Sequence, residues 1–266
     1  MLEGLRGTAH LYGLIGRPAD KVESPAGLAG ALRRRGREAV VVPIQVEPEA
    51  FDDLLESLGD VRNLDGILAA APHRAAAWQH AATTTDRARW LSAASILRRN
   101  PDRTWHADML DGEGLTAAIS GAGGEPARQR ALIAGAGAAG GAIALSLLDA
   151  GVSRLAVHDI DAARRDALIE RLQARYGTRA AAGSADPAGF TLMVNATPAG
   201  ARAGDPLPLQ VDALVPGMIV ADLATATEET PLLAAARRCG CVTHSGARVF
   251  EAALGLMAEF LTAPRR

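Results

Sequence analysis

The sequence predicts an α/β protein in two domains, a small N-terminal α/β domain followed by a Rossmann-type domain. Three observations carry this. Short apolar runs with strand character alternate with helical segments from residue 10 to the end of the chain. At 266 residues the chain is long enough for two domains of ordinary size. Near its middle, Gly135, Gly137 and Gly140 form a G-x-G-x-x-G run between an apolar stretch and an apolar helix, the pattern of a strand–turn–helix unit.

Residues 10–15 read as a first strand and 16–25 as a loop. Residues 26–35 form a helix with a basic outer face, stopped by Gly36. Residues 39–46 are a continuous β-branched strand, and 49–58 an amphipathic helix ended by Gly59. Residues 64–69 are a third strand, which turns at Pro72 into a helix through Ala82. Residues 90–97 and 103–107 read as a small hairpin around the Asn100–Pro101 turn. A helix over 111–120 and a glycine-rich linker over 121–126 lead into the second domain. Later strands fall at 190–195, 218–221 and 241–243, and an apolar helix over 246–261 closes the chain. Both sheets are expected to be mainly parallel, and Trp78, Trp90 and Trp105 are read as packing residues.

The glycine run carries the most chemistry. Residues 131–134 are a buried strand, 142–148 an apolar helix, and 155–158 a second strand with Asp159 at its tip. In such a unit the first glycine permits the tight turn and the second lets backbone N–H groups approach a pyrophosphate. The third lets the helix pack close to its strand. The helix N-terminus, with Ala138 and Ala139 in its first turn, adds backbone donors and a positive dipole end. Asp159 lies 19 residues beyond Gly140, the interval of a ribose-binding acid. Its carboxylate can accept both ribose hydroxyls and would repel a 2′-phosphate, so NAD is favoured over NADP. Arg164 and Arg165 are assigned to the solvated face of the following helix.

Composition excludes several classes. The net charge is −2 and the isoelectric point about 6.3, with no basic stripe, so no nucleic-acid partner is expected. No apolar run is long enough to span a bilayer and MLEGLRGTAH lacks a signal-peptide pattern, which implies no membrane partner and a cytoplasmic location. Cys239 and Cys241 make neither a disulfide framework nor a four-ligand metal site, so no metal is expected. Lys21 is the only lysine in the chain.

Several strings together resemble the shikimate dehydrogenase family. LYGLIGRPADKVESP (11–25) resembles its strand, Gly-x-Pro turn and Ser-x-Ser-Pro loop, and GILAAAPHR (66–74) its G-x-N-V-T-x-P-x-K segment. DGEG (111–114) resembles the end of N-T-D-G-x-G. NATPAG (195–200), DPLPL (205–209), Asp222 and TPLL (230–233) match its nucleotide domain, in order along nearly the whole chain. The resemblance implies a substrate-binding domain over residues 1–114 plus the helix 247–266, and a dinucleotide domain over 115–246. It also implies that Ala196, Thr197, Pro198, Leu223 and Gly246 line the nicotinamide side, and that the partner is a small-molecule substrate. A monomer or homodimer is expected.

The same comparison marks the substrate positions and what occupies them here. They are Val22 and Ser24 in the first loop, Leu68 and Ala70 in the third-strand motif, Ser95, Met109, Thr225 and Ala253. Ser24 matches the family; the other seven depart from its serine, asparagine, threonine, tyrosine or glutamine. The catalytic lysine position is Arg74, while the catalytic aspartate is kept as Asp111. Each lost neutral hydrogen bond is worth roughly 0.5–1.5 kcal/mol, so several together cut the affinity for a polyhydroxylated acid by orders of magnitude. An arginine does not give up its proton as a lysine can, but it can clamp a carboxylate or stabilise charge on a carbonyl oxygen. Proton transfer then falls to Asp111 with water, to His73 or His106, or to Lys21.

The reading is an NAD-dependent oxidoreductase that moves a hydride between nicotinamide and a secondary alcohol or ketone. Its substrate is small, cyclic and carboxylated, and shikimate is not turned over with the usual efficiency. Asp111 and Arg74 are placed at the reacting oxygen. The alternative is an NAD-binding sensor or partner protein of the same fold with impaired chemistry. Another two-domain NAD enzyme, such as a methylene-folate dehydrogenase, fits the N-terminal strings less well.

Overall fold

The structure, a computed structural model, describes residues 9–16, 25–200, 204–224 and 229–264. The chain divides into two compact units, Met1–Leu110 with Leu254–Arg266, and Asp111–Ala253.

The first unit contains β1 (His10–Gly16), α1 (Pro25–Arg34), β2 (Ala39–Gln45), α2 (Phe51–Ser57), β3 (Leu64–Ala69), α3 (Arg74–Gln79), β4 (Thr83–Thr84), α4 (Asp86–Leu91), β5 (Ile96–Arg99) and β6 (Trp105–Asp108). Its sheet has the order β2-β1-β3-β5-β6-β4. β2, β1 and β3 are parallel, β5 runs antiparallel to both neighbours, and β4 is parallel to β6. β3 is buried along its whole length, as an apolar central strand should be. β2 is the edge strand, half exposed, with Pro43 paired against Leu14; proline has no N–H to give and is tolerated there. Phe51, Leu55, Ile67, Leu97 and Trp105 fill the core between sheet and helices.

The structure corrects the hairpin. The sequence predicts strand from residue 90, but Asp86–Leu91 is a helix, and the first arm is Ile96–Arg99 alone. Local capping decides this. The Thr85 hydroxyl accepts the Ala88 N–H at 3.3 Å, and Ser92 ends the helix in the left-handed region at φ 52°. The predicted helix over 72–82 is likewise shortened to Arg74–Gln79, because the Ala82 N–H turns to the Trp105 carbonyl oxygen at 3.0 Å as the chain enters the strand Thr83–Thr84 beside β6. Trp105 is a packing residue as expected, capped by the Arg99 guanidinium 3.5 Å above its ring. Arg99, itself buried, donates to the carbonyl oxygens of Leu58 (2.7 Å) and Arg103 (2.6 Å).

The second unit contains α5 (Asp111–Gly121), β7 (Arg130–Ala134), α6 (Ala138–Asp149), β8 (Arg154–His158), α7 (Ala162–Tyr176), β9 (Ala180–Ala182), β10 (Leu192–Asn195), β11 (Ile219–Asp222), α8 (Pro231–Arg238) and β12 (Val242–Ser245). The helix α9 (Gly246–Thr262) starts in this unit and runs in sequence into the first. The sheet has the order β12-β11-β10-β7-β8-β9, every pairing parallel. The chain leaves β7 in one direction for β8 and β9, then returns to β7's other side for β10 to β12. That is the doubly wound Rossmann order, with its switch point between the C-terminal ends of β7 and β10. α5 packs closely on α6: a Cβ on Gly112 would run into the Ala142 carbonyl oxygen, with Ser146 Cβ beside it at 2.6 Å. No helix among the described residues is long and apolar enough to cross a membrane. No group of three or more His, Cys, Asp or Glu among them could hold a metal ion.

Two outcomes follow. In Gly112→Ala the clash is with a backbone oxygen that cannot rotate away. Overpacking of about 1–3 kcal/mol then exceeds a helix-propensity gain of at most about 1 kcal/mol, and the urea midpoint should fall. Separately, burial is the main force lowering the pKa of His73, His106 and His244 from 6.5. The unfolded chain therefore binds more protons than the folded one as pH falls below about 6.5, and stability drops by at most about 1.4 kcal/mol per pH unit per histidine. A urea titration from pH 7 to 5 should show this fall, and His73→Asn should make it shallower.

Candidate functional site

The glycine turn lies at the switch point, between β7 and α6. Gly135 has φ +105°, and a Cβ there would press on Ala196 O and Thr197 Cγ2, each at 3.0 Å. A Cβ on Gly140 would collide with the Gly135 carbonyl oxygen, whereas one on Gly137 meets nothing within 4 Å. The first and third glycines are thus fixed by close packing, and the second faces open space. Gly137 caps α6 without any side-chain hydrogen bond, so the helix N-terminus keeps its donors for an anion. This cradle fits a dinucleotide pyrophosphate.

Asp159 follows the end of β8 and closes the turn. One carboxylate oxygen accepts the Ala136 N–H at 2.7 Å and the other accepts the Asp161 N–H at 2.9 Å. Asp161 in turn caps α7, accepting the Arg164 N–H at 3.1 Å. Two carboxylates therefore stand at the tip of β8. The guanidinium groups of Arg164 and Arg165 pair with Asp161 (3.4 Å) and Asp166 (2.8 Å) respectively. Between the acids, Ile160 is 99% exposed, a sec-butyl group presented to solvent beside the turn.

On the other side of the switch point, the Asn195–Gly200 turn follows β10. Asn195 Oδ1 accepts the Thr197 N–H (2.9 Å) and hydroxyl (2.7 Å), and its amide donates to Ala199 O (3.1 Å). Ala196 is tied to β7 by its N–H to Ala134 O at 2.8 Å. Leu223 donates its N–H to Asn195 O at 2.9 Å. Gly246, at the start of α9, lies against Leu223 and Ala224: a Cβ there would meet both carbonyl oxygens at 2.9 Å. Gly135, Ala196, Thr197, Leu223 and Gly246 are thus brought together at one end of the sheet. Pro198 is exposed on the same turn, and Ala138 and Ala139 are half-buried in the first turn of α6.

Sequence reasoning named Asp222 by resemblance alone and missed its role. It is fully buried at the end of β11, in register with Asn195 at the end of β10. Its Oδ1 accepts from Asn195 Nδ2 (2.9 Å) and the Ala224 N–H (3.0 Å), and its Oδ2 accepts the Thr230 hydroxyl (2.7 Å). Burial pushes the carboxyl above the ordinary carboxylate range, against the pull of these hydrogen bonds. The signal was present: the strands LMVN and IVAD each end a run of apolar residues with one polar side chain.

The positions that the resemblance marks for substrate are distributed over both units. In the first, Leu68 and Met109 are buried, and Ala70 is half-buried just past β3. The Ser95 hydroxyl accepts the Leu110 N–H at 2.9 Å, so it holds the end of β6 in place. Arg74 is the half-buried first residue of α3, its carbonyl accepting the Ala94 N–H at 2.9 Å. In the second unit, Asp111 is the half-buried first residue of α5, and Ala253 is buried against Gly114 of that helix. Val22, Ser24, Thr225 and Lys21 lie outside the described residues. His73 is 2% exposed and stacked on Phe51 at 4.6 Å, with burial favouring its neutral form. His106 bonds the Thr83 hydroxyl at 2.9 Å and stacks on Phe260, lining a cavity of about 830 Å³ beside the β5–β6 turn. Both histidines pack the first unit.

Residues 14–97 match the family model described as the shikimate dehydrogenase substrate binding domain. The chain is 32% identical over 278 residues to a shikimate dehydrogenase (NADP(+)) of Rhodospirillum rubrum, covering 96% of this chain and 95% of that protein. Shikimate 5-dehydrogenase from Listeria monocytogenes, solved with shikimate and NAD, has the same fold at a TM-score of 0.85. It is 23% identical and covers 100% of this chain and 96% of that one. A ligand-free 5-ketofructose reductase of Gluconobacter also has this fold, at a TM-score of 0.83 and 22% identity over 98% of this chain and 95% of that one. The chain belongs to the shikimate dehydrogenase family, NAD(P)-dependent oxidoreductases that act on CH–OH groups.

Proposed function

We propose that this protein is an NAD-linked dehydrogenase of a small, cyclic, carboxylated alcohol or its ketone, less hydroxylated than shikimate. The observation that carries the reading is the glycine turn at the switch point, closed by Asp159 through the Ala136 N–H. The preference for NAD rests on the paired acids. A 2′-phosphate at the tip of β8 would meet Asp159 and Asp161, while the nearest arginines are already engaged with Asp161 and Asp166. When bound, the nicotinamide supplies or accepts the hydride.

The chain's own residues divide the remaining work. Residues 1–114 and 247–266 are assigned to substrate and 115–246 to the coenzyme. Arg74 clamps the substrate's carboxylate or its reacting oxygen and stabilises negative charge there. Asp111, at the start of α5, holds the hydroxyl proton with the help of water. Leu68, Met109 and Ala253 are buried and apolar, which supports a substrate with fewer hydroxyl groups to satisfy. The burial of His73, and the engagement of His106 with Thr83 and Phe260, support leaving both out of proton transfer.

At one hundred times its dissociation constant, NAD+ should stabilise the protein by about 2.7 kcal/mol. For a chain of this size that raises the melting temperature by roughly 5–10 °C. NADP+ at the same concentration should give a smaller shift, and a larger one reverses the coenzyme assignment. In turnover assays on shikimate, quinate and simpler cyclic hydroxy acids, a less hydroxylated acid should give the highest kcat/KM. Asp111→Asn should lower kcat by about 10²-fold or more, and Arg74→Lys should raise it on shikimate by a comparable factor. Tight NAD+ binding with no turnover of any alcohol would favour the sensor reading instead.

A further inference from the structure

We propose that Asp222 is the positioning residue for the nicotinamide half of the coenzyme site, independent of the Asp159 tether that shapes the pyrophosphate half. This rests on the dinucleotide reading above. A single buried carboxylate fastens three segments that are separate in sequence. Through Asn195 it holds the 195–199 turn, whose Thr197 hydroxyl also accepts the Ala199 N–H at 3.1 Å. Through the Ala224 N–H it fixes the residues after β11, against which Gly246 lies. Through the Thr230 hydroxyl it sets the cap of α8, where Thr230 Oγ1 accepts the Leu233 N–H at 3.2 Å. The residues assigned to nicotinamide, Ala196–Pro198, Leu223 and Gly246, all belong to the first two segments or touch them. The glycine turn is held by other bonds, from Ala136 to Asp159 and from the Gly135 N–H to His158 O at 2.8 Å. The two halves of the site are therefore anchored by two acids on opposite sides of the switch point.

Removing Asp222 would leave Asn195, Ala224 and Thr230 without their common acceptor. The turn that carries Thr197 and Pro198 would lose its fixed orientation while the pyrophosphate cradle stays formed. NADH fluorescence reports the surroundings of the nicotinamide, and ADP-ribose, which lacks that ring, reports the other half. Both are to be measured on the whole chain for wild type, Asp222→Ala, Thr230→Val and Thr230→Ser, with emission at saturation and ADP-ribose affinity by calorimetry. In Asp222→Ala and Thr230→Val the emission change on binding should fall by a factor of roughly two or more, while the ADP-ribose dissociation constant stays within about two-fold. Thr230→Ser, which keeps the hydroxyl, should restore the wild-type emission change. If Asp222→Ala does not fold, Thr230→Val decides. An unchanged emission signal overturns the inference, and so does a parallel loss of ADP-ribose affinity, which would mark general damage to the scaffold. A wild-type protein that binds neither NADH nor ADP-ribose overturns the coenzyme reading and this inference with it.

Discussion

The second unit depends on one close approach, that of Gly140 to the carbonyl of Gly135. No side chain fits between them, so the first turn of α6 can sit directly on the end of β7. That contact aims the helix N-terminus at the space in front of Gly137 and sets where Asp159 must reach to close the turn. The turn after β10 lies against the same place, since a Cβ on Gly135 would press on Ala196 and Thr197. A sheet that reverses its strand order here opens a crevice at the strand ends, and two short polar networks, around Asp159 and around Asp222, shape its walls.

Much of this is written in local sequence. The three glycines and the apolar runs on either side form the strand, turn and helix the sequence predicts, and the acid after β8 sits against that turn through the Ala136 N–H. The ends of β5 and α4 were harder to read. Trp90 and Leu91 suit a strand as well as a helix, and the choice was made by Thr85 and Ser92, whose capping roles depend on backbone angles that composition does not reveal. Asp222 was hidden for a different reason. A buried carboxylate gains its meaning from partners on three other segments, and only the register of β10 against β11 brings Asn195 to it. The reach of Arg74 and Ser95 is equally a matter of tertiary placement, which no single stretch of sequence contains.

Family membership and choice of substrate are set by different parts of the chain. Membership follows from similarity along almost the whole chain, and the scaffold follows with it. What the scaffold acts on is decided by a few side chains. On the assignment proposed above, Arg74 keeps a positive charge at the start of α3 but gives up a group that could shed its proton. On the same assignment most replacements at the substrate positions run from amide and hydroxyl to apolar side chains, while Ser95 and Thr225 keep a hydroxyl.

Pro43 has a consequence beyond the sheet it belongs to. The run Ala39–Gln45 is rich in valine and lies at the border of the first sheet, with Val42 41% exposed. Such a border is a template on which another chain can add itself, strand by strand, into a growing fibre. An imide nitrogen in the middle of that border offers no proton to a newcomer and interrupts the row of donors it would need. Pro43 thus stands where a gatekeeper residue would, inside a valine-rich stretch of the sheet's border.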